Sequence, residues 1–264
     1  MNIVIIGASS GIGNVAGEYL VSKGHEVLGT SRYKEGRYGS LELIKLDVTN
    51  DDSVEQFVQN ILQRFKTIDV LINSAGFVIS GPAENISIEE CKSQFETNYF
   101  GVVRVTTKLL PHFRAQRKEK IINISSMAGL IGMPFQSHYS ASKFALEGFT
   151  EALRLELFPF NVSACNINPG DFSTSFTANR KFPAFIDDDY KATYEQVLSM
   201  YENDETNGSD PILIAKLIES LIHKKKLKVR YIVGKPTQTI AITLKRLFGE
   251  TLFEKVMRII WKVK

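Results

Sequence analysis

The chain of 264 residues is poor in several residue types, and each shortage excludes something. It has 2 cysteines, Cys91 and Cys165. That is too few for a disulfide framework or a multi-cysteine metal site, and it fits a reducing, cytoplasmic setting. The 4 histidines, His25, His112, His138 and His223, show no ligand spacing of the H-E-x-x-H kind, so no metal is expected. No apolar run reaches the roughly 18–20 residues of a membrane span. No basic stretch precedes the first apolar residues, so a secretory leader is not expected. Ser125 and Ser126 lack a G-x-S-x-G elbow, which leaves hydrolase chemistry without support. With 32 Lys+Arg against 29 Asp+Glu, the chain is not a uniformly basic nucleic-acid binder.

The small net charge hides an asymmetry. Residues 216–264 carry 13 Lys+Arg and 3 Asp+Glu, whereas residues 1–215 carry 19 and 26. The basic tail therefore needs its own account.

Short β-branched apolar runs alternate with longer amphipathic stretches. The runs fall at Asn2–Ile6, Glu26–Gly29, Leu43–Leu46, Val70–Ile72, Lys120–Ile124, Val162–Ile167 and Lys228–Val233. Each reads as a strand buried on both faces, as in a parallel sheet. Their alternation with stretches such as Ser53–Phe65 and Phe144–Leu157 predicts an α/β, Rossmann-type doubly wound parallel sheet of about seven strands. No linker or repeat divides the chain, so residues 1–264 are read as a single domain.

Gly7-Ala8-Ser9-Ser10-Gly11-Ile12-Gly13 follows the first predicted strand and opens a helix. Glycines there let the backbone approach a pyrophosphate at the helix N-terminus. The spacing differs from G-x-G-x-x-G, and turns need glycine anyway, so its position at a strand end carries the weight. Tyr-x-x-x-Lys places a phenol and an ammonium on one helix face. It occurs three times, at Tyr19/Lys23, Tyr139/Lys143 and Tyr231/Lys235. The first pair falls at a helix's far end and the third in a predicted strand. Tyr139 opens a helix after a predicted loop, with a serine pair upstream at a strand end.

These motifs, in this order, resemble the short-chain dehydrogenase/reductase family over about residues 1–175. The resemblance assigns Gly7 to Gly13 to the cofactor loop and Asp47 and Val48 to the adenine contact. It matches Asn73-Ser74-Ala75-Gly76 to the family's Asn-Asn-Ala-Gly, with serine in the second place. It gives Asn98, Ser126, Tyr139 and Lys143 catalytic roles, and places Pro169, Gly170 and Thr174 beside the nicotinamide. Tyr139 is then the general acid in reduction and the general base in oxidation, with Lys143 favouring the phenolate and binding the nicotinamide ribose. Ser126 would hold the substrate oxygen, and Asn98 a water that relays protons from Lys143. Taken singly, Ser126 also reads as a turn residue, Asn98 as a helix cap and Asp47 as a strand-end cap.

The second strand ends at Thr30-Ser31-Arg32, with no acid at the position where NAD-preferring folds place one for the ribose 2′-hydroxyl. Ser31 and Arg32 there favour the 2′-phosphate of NADP(H), although Glu35 is a candidate salt-bridge partner for Arg32. Seven aromatics between Phe172 and Tyr201 fall in the segment that the family uses as a substrate lid, taken here as about 171–210. They point to an apolar alcohol/ketone or aldehyde, or else only pack the lid. The extension at about 236–264 has two apolar helix faces. One carries Ile240, Leu244, Leu247 and Phe248, the other Leu252, Phe253, Val256, Met257 and Ile260. It reads either as cover for a core edge, or as a surface that rests on anionic membrane or covers the substrate mouth. The resemblance also implies a homo-oligomer. The competing functions are a 3-oxoacyl reductase of fatty acid synthesis and a non-catalytic NADP(H) sensor.

Overall fold

In a computed structural model of the protein, residues 1–263 other than 175 and 177 are described, with backbone alone for 246–248. Leu247 and Phe248 of the tail's first apolar face, and Lys264, therefore lie outside the described side chains. The strands are β1 (Asn2–Ile6), β2 (Glu26–Ser31), β3 (Gly36–Tyr38), β4 (Leu41–Lys45), β5 (Val70–Asn73), β6 (Lys120–Ile124), β7 (Ser163–Pro169) and β8 (Arg230–Val233). The helices are α1 (Gly11–Ser22), α2 (Asp51–Arg64), α3 (Ile88–Phe95), α4 (Gly101–Gln116), α5 (Ser137–Leu157), α6 (Asp188–Thr206), α7 (Ile212–Ile222), α8 (Pro236–Phe248) and α9 (Glu250–Ile260).

The sheet has 8 strands in the order β3-β4-β2-β1-β5-β6-β7-β8. The seven apolar runs all become parallel strands. The eighth, β3, corrects the expected count. It pairs antiparallel with β4 as an edge hairpin. Its three residues are exposed, so no burial pattern marked it in the sequence.

Alternation along each strand divides the core into two layers. Ile3, Ile5, Ile72 and Ile122 face α1 and α7, where they meet Ala16, Leu20, Ile214 and Ile218. Val4, Ile6, Leu71 and Ile121 face α2, α4 and α5, where they meet Phe57, Leu109, Phe113 and Leu153. The strand order reverses between β1 and β5, and the crevice at that switch point is where open α/β sheets hold ligands.

Candidate active site

The turn from β1 into α1 is shaped by two glycines. Gly7 has φ +81°, and a Cβ there would stand 2.6 Å from the Ala75 backbone. A Cβ on Gly13 would stand 2.1 Å from the Gly7 carbonyl oxygen. A side chain at either position would push the turn off the sheet. Ser10 precedes α1, yet its side chain makes no capping hydrogen bond. The first-turn amides therefore keep donors for an anion, with the helix dipole behind them.

A cleft of about 530 Å³ opens at the C-terminal ends of the strands. One wall carries Gly7, Ser9, Ser10, Gly11 and Ile12, together with Ala75 and Gly76. Ser126, Tyr139, Lys143, Pro169, Gly170 and Thr174 line it further along. Thirteen positions expected from the sequence thus share one cavity.

Tyr139 is buried and its ring stands 6.0 Å from Phe176. Burial pushes its phenol up to about 12, while a hydrogen bond from Ser126 favours the phenolate. Lys143 Nζ donates to the Ile124 carbonyl at 3.0 Å and stands 5.8 Å from the Tyr139 ring centroid. Burial pulls its ammonium down to about 8. In the protein by itself, then, desolvation is the largest influence on the phenol and outweighs the Ser126 hydrogen bond. The chain holds Tyr139 protonated at neutral pH.

Other expected residues stand outside the cleft. Asn98 sits in a π-helical turn, Glu96–Phe100, between α3 and α4. Its Nδ2 donates to the Phe77 carbonyl at 2.9 Å and to Ser142 Oγ at 3.1 Å, and its Oδ1 accepts from the Phe77 amide at 3.0 Å. The side chain clamps the loop that carries Gly76 beside Lys143. Asn73 is buried under the sheet ends, donating to Asn123 Oδ1 at 2.8 Å and Thr106 Oγ1 at 3.2 Å. Asp47 Oδ1 accepts from the Thr49 amide at 3.0 Å, and Val48 packs under Gly101. Ser31 Oγ accepts from the Lys34 amide at 3.1 Å, which closes the turn after β2. Arg32 lies over the Tyr33 ring at 4.5 Å.

Two residues that sequence reading passed over support the centre. Asn168 Nδ2 donates to the Ser126 carbonyl at 3.0 Å and to Glu147 Oε1 at 2.7 Å. Glu147 is paired with Arg230 at 2.6 Å. Its position four residues after Lys143, on the same face of α5, was the available signal.

Three of the seven lid aromatics reach the far wall. Phe172, Phe176 and Tyr201 reach the cleft, but Phe182, Phe185 and Tyr190 are exposed. Further apolar lining comes from Met200 on α6 and, outside the lid, from Met127, Ile131, Met133, Met257 and Trp261. Trp261 packs against Tyr201 with ring centroids 4.7 Å apart and the planes tilted by 47°, and Met257 joins Met127, Ile131 and Ile242 in one cluster. Three carboxylates also line this side, Asp171, Asp204 and Glu205. Glu205 pairs with the buried Arg180. Burial beside Asp204 and Glu205 raises Asp171 to about 6.

A family model described as short chain dehydrogenase matches residues 1–182. The chain belongs to the short-chain dehydrogenase family. Over 264 aligned residues it is 39% identical to the 3-ketodihydrosphingosine reductase of Bacteroides thetaiotaomicron, covering 99% of this chain and 98% of that one. It is 31% identical over 268 residues to the NADPH-dependent 3-dehydrocapnine reductase of Ornithobacterium rhinotracheale, covering 96% and 94%. The crystal structure of a short-chain dehydrogenase from Streptomyces avermitilis is similar with TM-score 0.84, at 29% identity, covering 97% of each chain. This short-chain dehydrogenase is therefore an oxidoreductase that acts on CH–OH groups with a nicotinamide cofactor. Among the described residues, no helix is long and apolar enough to cross a membrane.

Proposed function

We propose that the protein is an NADP(H)-dependent reductase of an apolar ketone, acting on a long-chain 3-oxo lipid. The observation that carries this reading is a single cleft with two unlike walls. One has the uncapped glycine turn and the Ser126–Tyr139–Lys143 set, and the other is built from methionines and Trp261.

Gly7, Gly11 and Gly13 would admit a pyrophosphate against the first turn of α1. Arg32 would meet a 2′-phosphate at the end of β2, where no carboxylate opposes it. The bound nicotinamide supplies or accepts a hydride. Ser126 Oγ would orient the carbonyl oxygen by a hydrogen bond. Tyr139, kept protonated by its burial, would give that oxygen its proton. Lys143 would hold the nicotinamide ribose and keep a cation beside the phenol as the proton leaves. Asn98 acts through the Phe77 backbone, positioning Gly76 near Lys143 rather than touching substrate.

The names of two relatives support a 3-oxo lipid substrate, and the apolar side chains of Met127, Ile131, Met257 and Trp261 on the cleft wall accord with an acyl chain. Asp171 and Asp204 would face the polar end of such a molecule. Exposed Phe100 on the π-helical turn, together with Phe144 and Leu155 on α5, supports a homo-oligomer paired through the α4 and α5 faces. The test is oxidation of NADPH, followed optically, with straight-chain 3-oxo compounds of increasing length. kcat/KM should rise with chain length and be higher with NADPH than with NADH. A flat length profile would remove the lipid, and equal use of NADH would remove the NADP preference. Absence of turnover with every carbonyl, despite tight NADPH binding, would favour the sensor.

A further inference from the structure

The tail helix α9 is apolar on a wider arc than the protein covers. Phe253 and Met257 turn inward, into the cluster with Ile242 and Ile131. Leu252, Val256, Ile259 and Ile260 are left outside, 48%, 37%, 77% and 49% exposed. At 100° per residue these four form one continuous stripe beside the packed edge. Isolated exposed apolar residues are ordinary on a protein surface; a contiguous stripe is a mark of a contact surface.

The charges around the stripe indicate what it meets. Lys255 borders it between Leu252 and Ile259, and Lys262 follows its C-terminal end, while Arg258 falls on the far side of the helix. Glu250 and Glu254 fall on the opposite side of the helix. A second copy docking antiparallel through the same stripe about a two-fold axis would bring Lys255, which borders the stripe beside its midpoint, against its own equivalent. An anionic bilayer has no such conflict. Its headgroups attract the lysines while its acyl region takes the leucine and isoleucines.

The stripe also has a place in the fold. Ile260 is half exposed and at the same time lines the cleft. The exposed face of α9 is therefore the rim of the substrate cavity. Since no described helix is long and apolar enough to span a membrane, the contact would be interfacial.

We infer that α9 seats the protein on an anionic lipid surface through Leu252, Val256, Ile259 and Ile260, with the mouth of the cleft against the bilayer. This deepens the reading of an apolar substrate, which would enter from the membrane without crossing water. Its test needs no turnover, so the two can fail separately.

The full-length protein would be sedimented with vesicles of phosphatidylcholine alone and of phosphatidylcholine with phosphatidylglycerol. The wild type should co-sediment with the anionic vesicles, and less so as salt is raised. The double variant Leu252→Asp, Ile259→Asp should lose at least about tenfold in partitioning, since two apolar side chains leave the stripe and two negative charges enter it. Leu213→Asp, an exposed apolar position on α7, should bind as the wild type does. Neither Leu252 nor Ile259 lines the cleft, so turnover of a short, water-soluble ketone should persist in the double variant. Should that variant misfold, Ile259→Asn alone carries the test with a smaller loss. Failure of the wild type to bind anionic vesicles would overturn the inference. So would unchanged binding by the folded variant. A variant that becomes monomeric where the wild type is dimeric, with no vesicle binding by either, would assign the stripe to a second copy instead.

Discussion

The cofactor side of the cleft and its lid-and-tail side are built by different means. The first is made where backbone meets backbone. Gly7 against Ala75 and Gly13 against the Gly7 carbonyl leave no room for a Cβ, and Asn98 clamps both polar groups of Phe77. The second is made of flexible side chains, four of them methionines, drawn from the turn after β6, the lid and the tail, far apart in sequence. A dinucleotide has a fixed shape, and a wall that binds it can be rigid. An acyl chain has many conformers, and methionine's unbranched thioether fits a changing surface. The contrast teaches that fixed local spacing marks the backbone-built wall, whereas the side-chain-built wall is assembled by long-range docking.

The largest expected effect lies on the rigid side. Tyr139→Phe keeps the ring and removes the proton, so kcat should fall by about 10²–10⁴-fold while NADPH binding by equilibrium titration is kept. The same exchange at Tyr19 or Tyr231, each also followed by a lysine four residues on, should leave turnover nearly intact. Full activity in Tyr139→Phe would break the assignment of that wall to catalysis. Next comes Arg32→Ala. One charge-assisted hydrogen bond is worth roughly 1.5–3 kcal/mol, or about 10–150-fold in affinity. NADPH should weaken by that factor and NADH should hardly change.

A smaller effect separates the walls by pH. Asp171, at the junction between them, has its pKa raised from 3.8 to about 6 by burial. A carboxyl with a raised folded-state pKa favours folding below its unfolded value, and that contribution is lost as pH rises through the folded one. Wild-type stability should therefore decline between pH 3.8 and about 6 from this group. Asp171→Asn should remove the decline, worth about 1–2 kcal/mol once partial solvent screening is allowed for. Thermal melts of both proteins across this range would show the gap opening as pH rises. A gap that closes instead would reverse the sign assigned to the buried carboxyl.

Much of the rigid side was legible in the sequence because its constraints are local. Seven strands announced themselves as β-branched runs, and the glycine turn and the Tyr139–Lys143 pair by fixed spacing. The three Tyr-x-x-x-Lys matches were separable by position, and Tyr231 does lie in a strand, β8. Strand β3 was hidden because exposed edge residues carry no burial pattern. The burial of the Tyr139 phenol was hidden because desolvation depends on the packing around it, not on the lysine four residues away. Which of the seven lid aromatics reach the other wall was not legible in the sequence. Which side of a lid faces a cavity depends on long-range docking, such as Trp261 packing against Tyr201, and no short window holds both residues.

The most direct test of the division between the walls is a double variant, Met200→Ala with Met257→Ala, assayed on a short and a long 3-oxo substrate. Losing two side chains from an apolar wall should raise KM for the long substrate by about tenfold or more. kcat on the short substrate and the affinity for NADPH should stay as they are. Equal losses on both substrates, or a parallel loss of NADPH binding, would contradict the account by showing that the two walls are one.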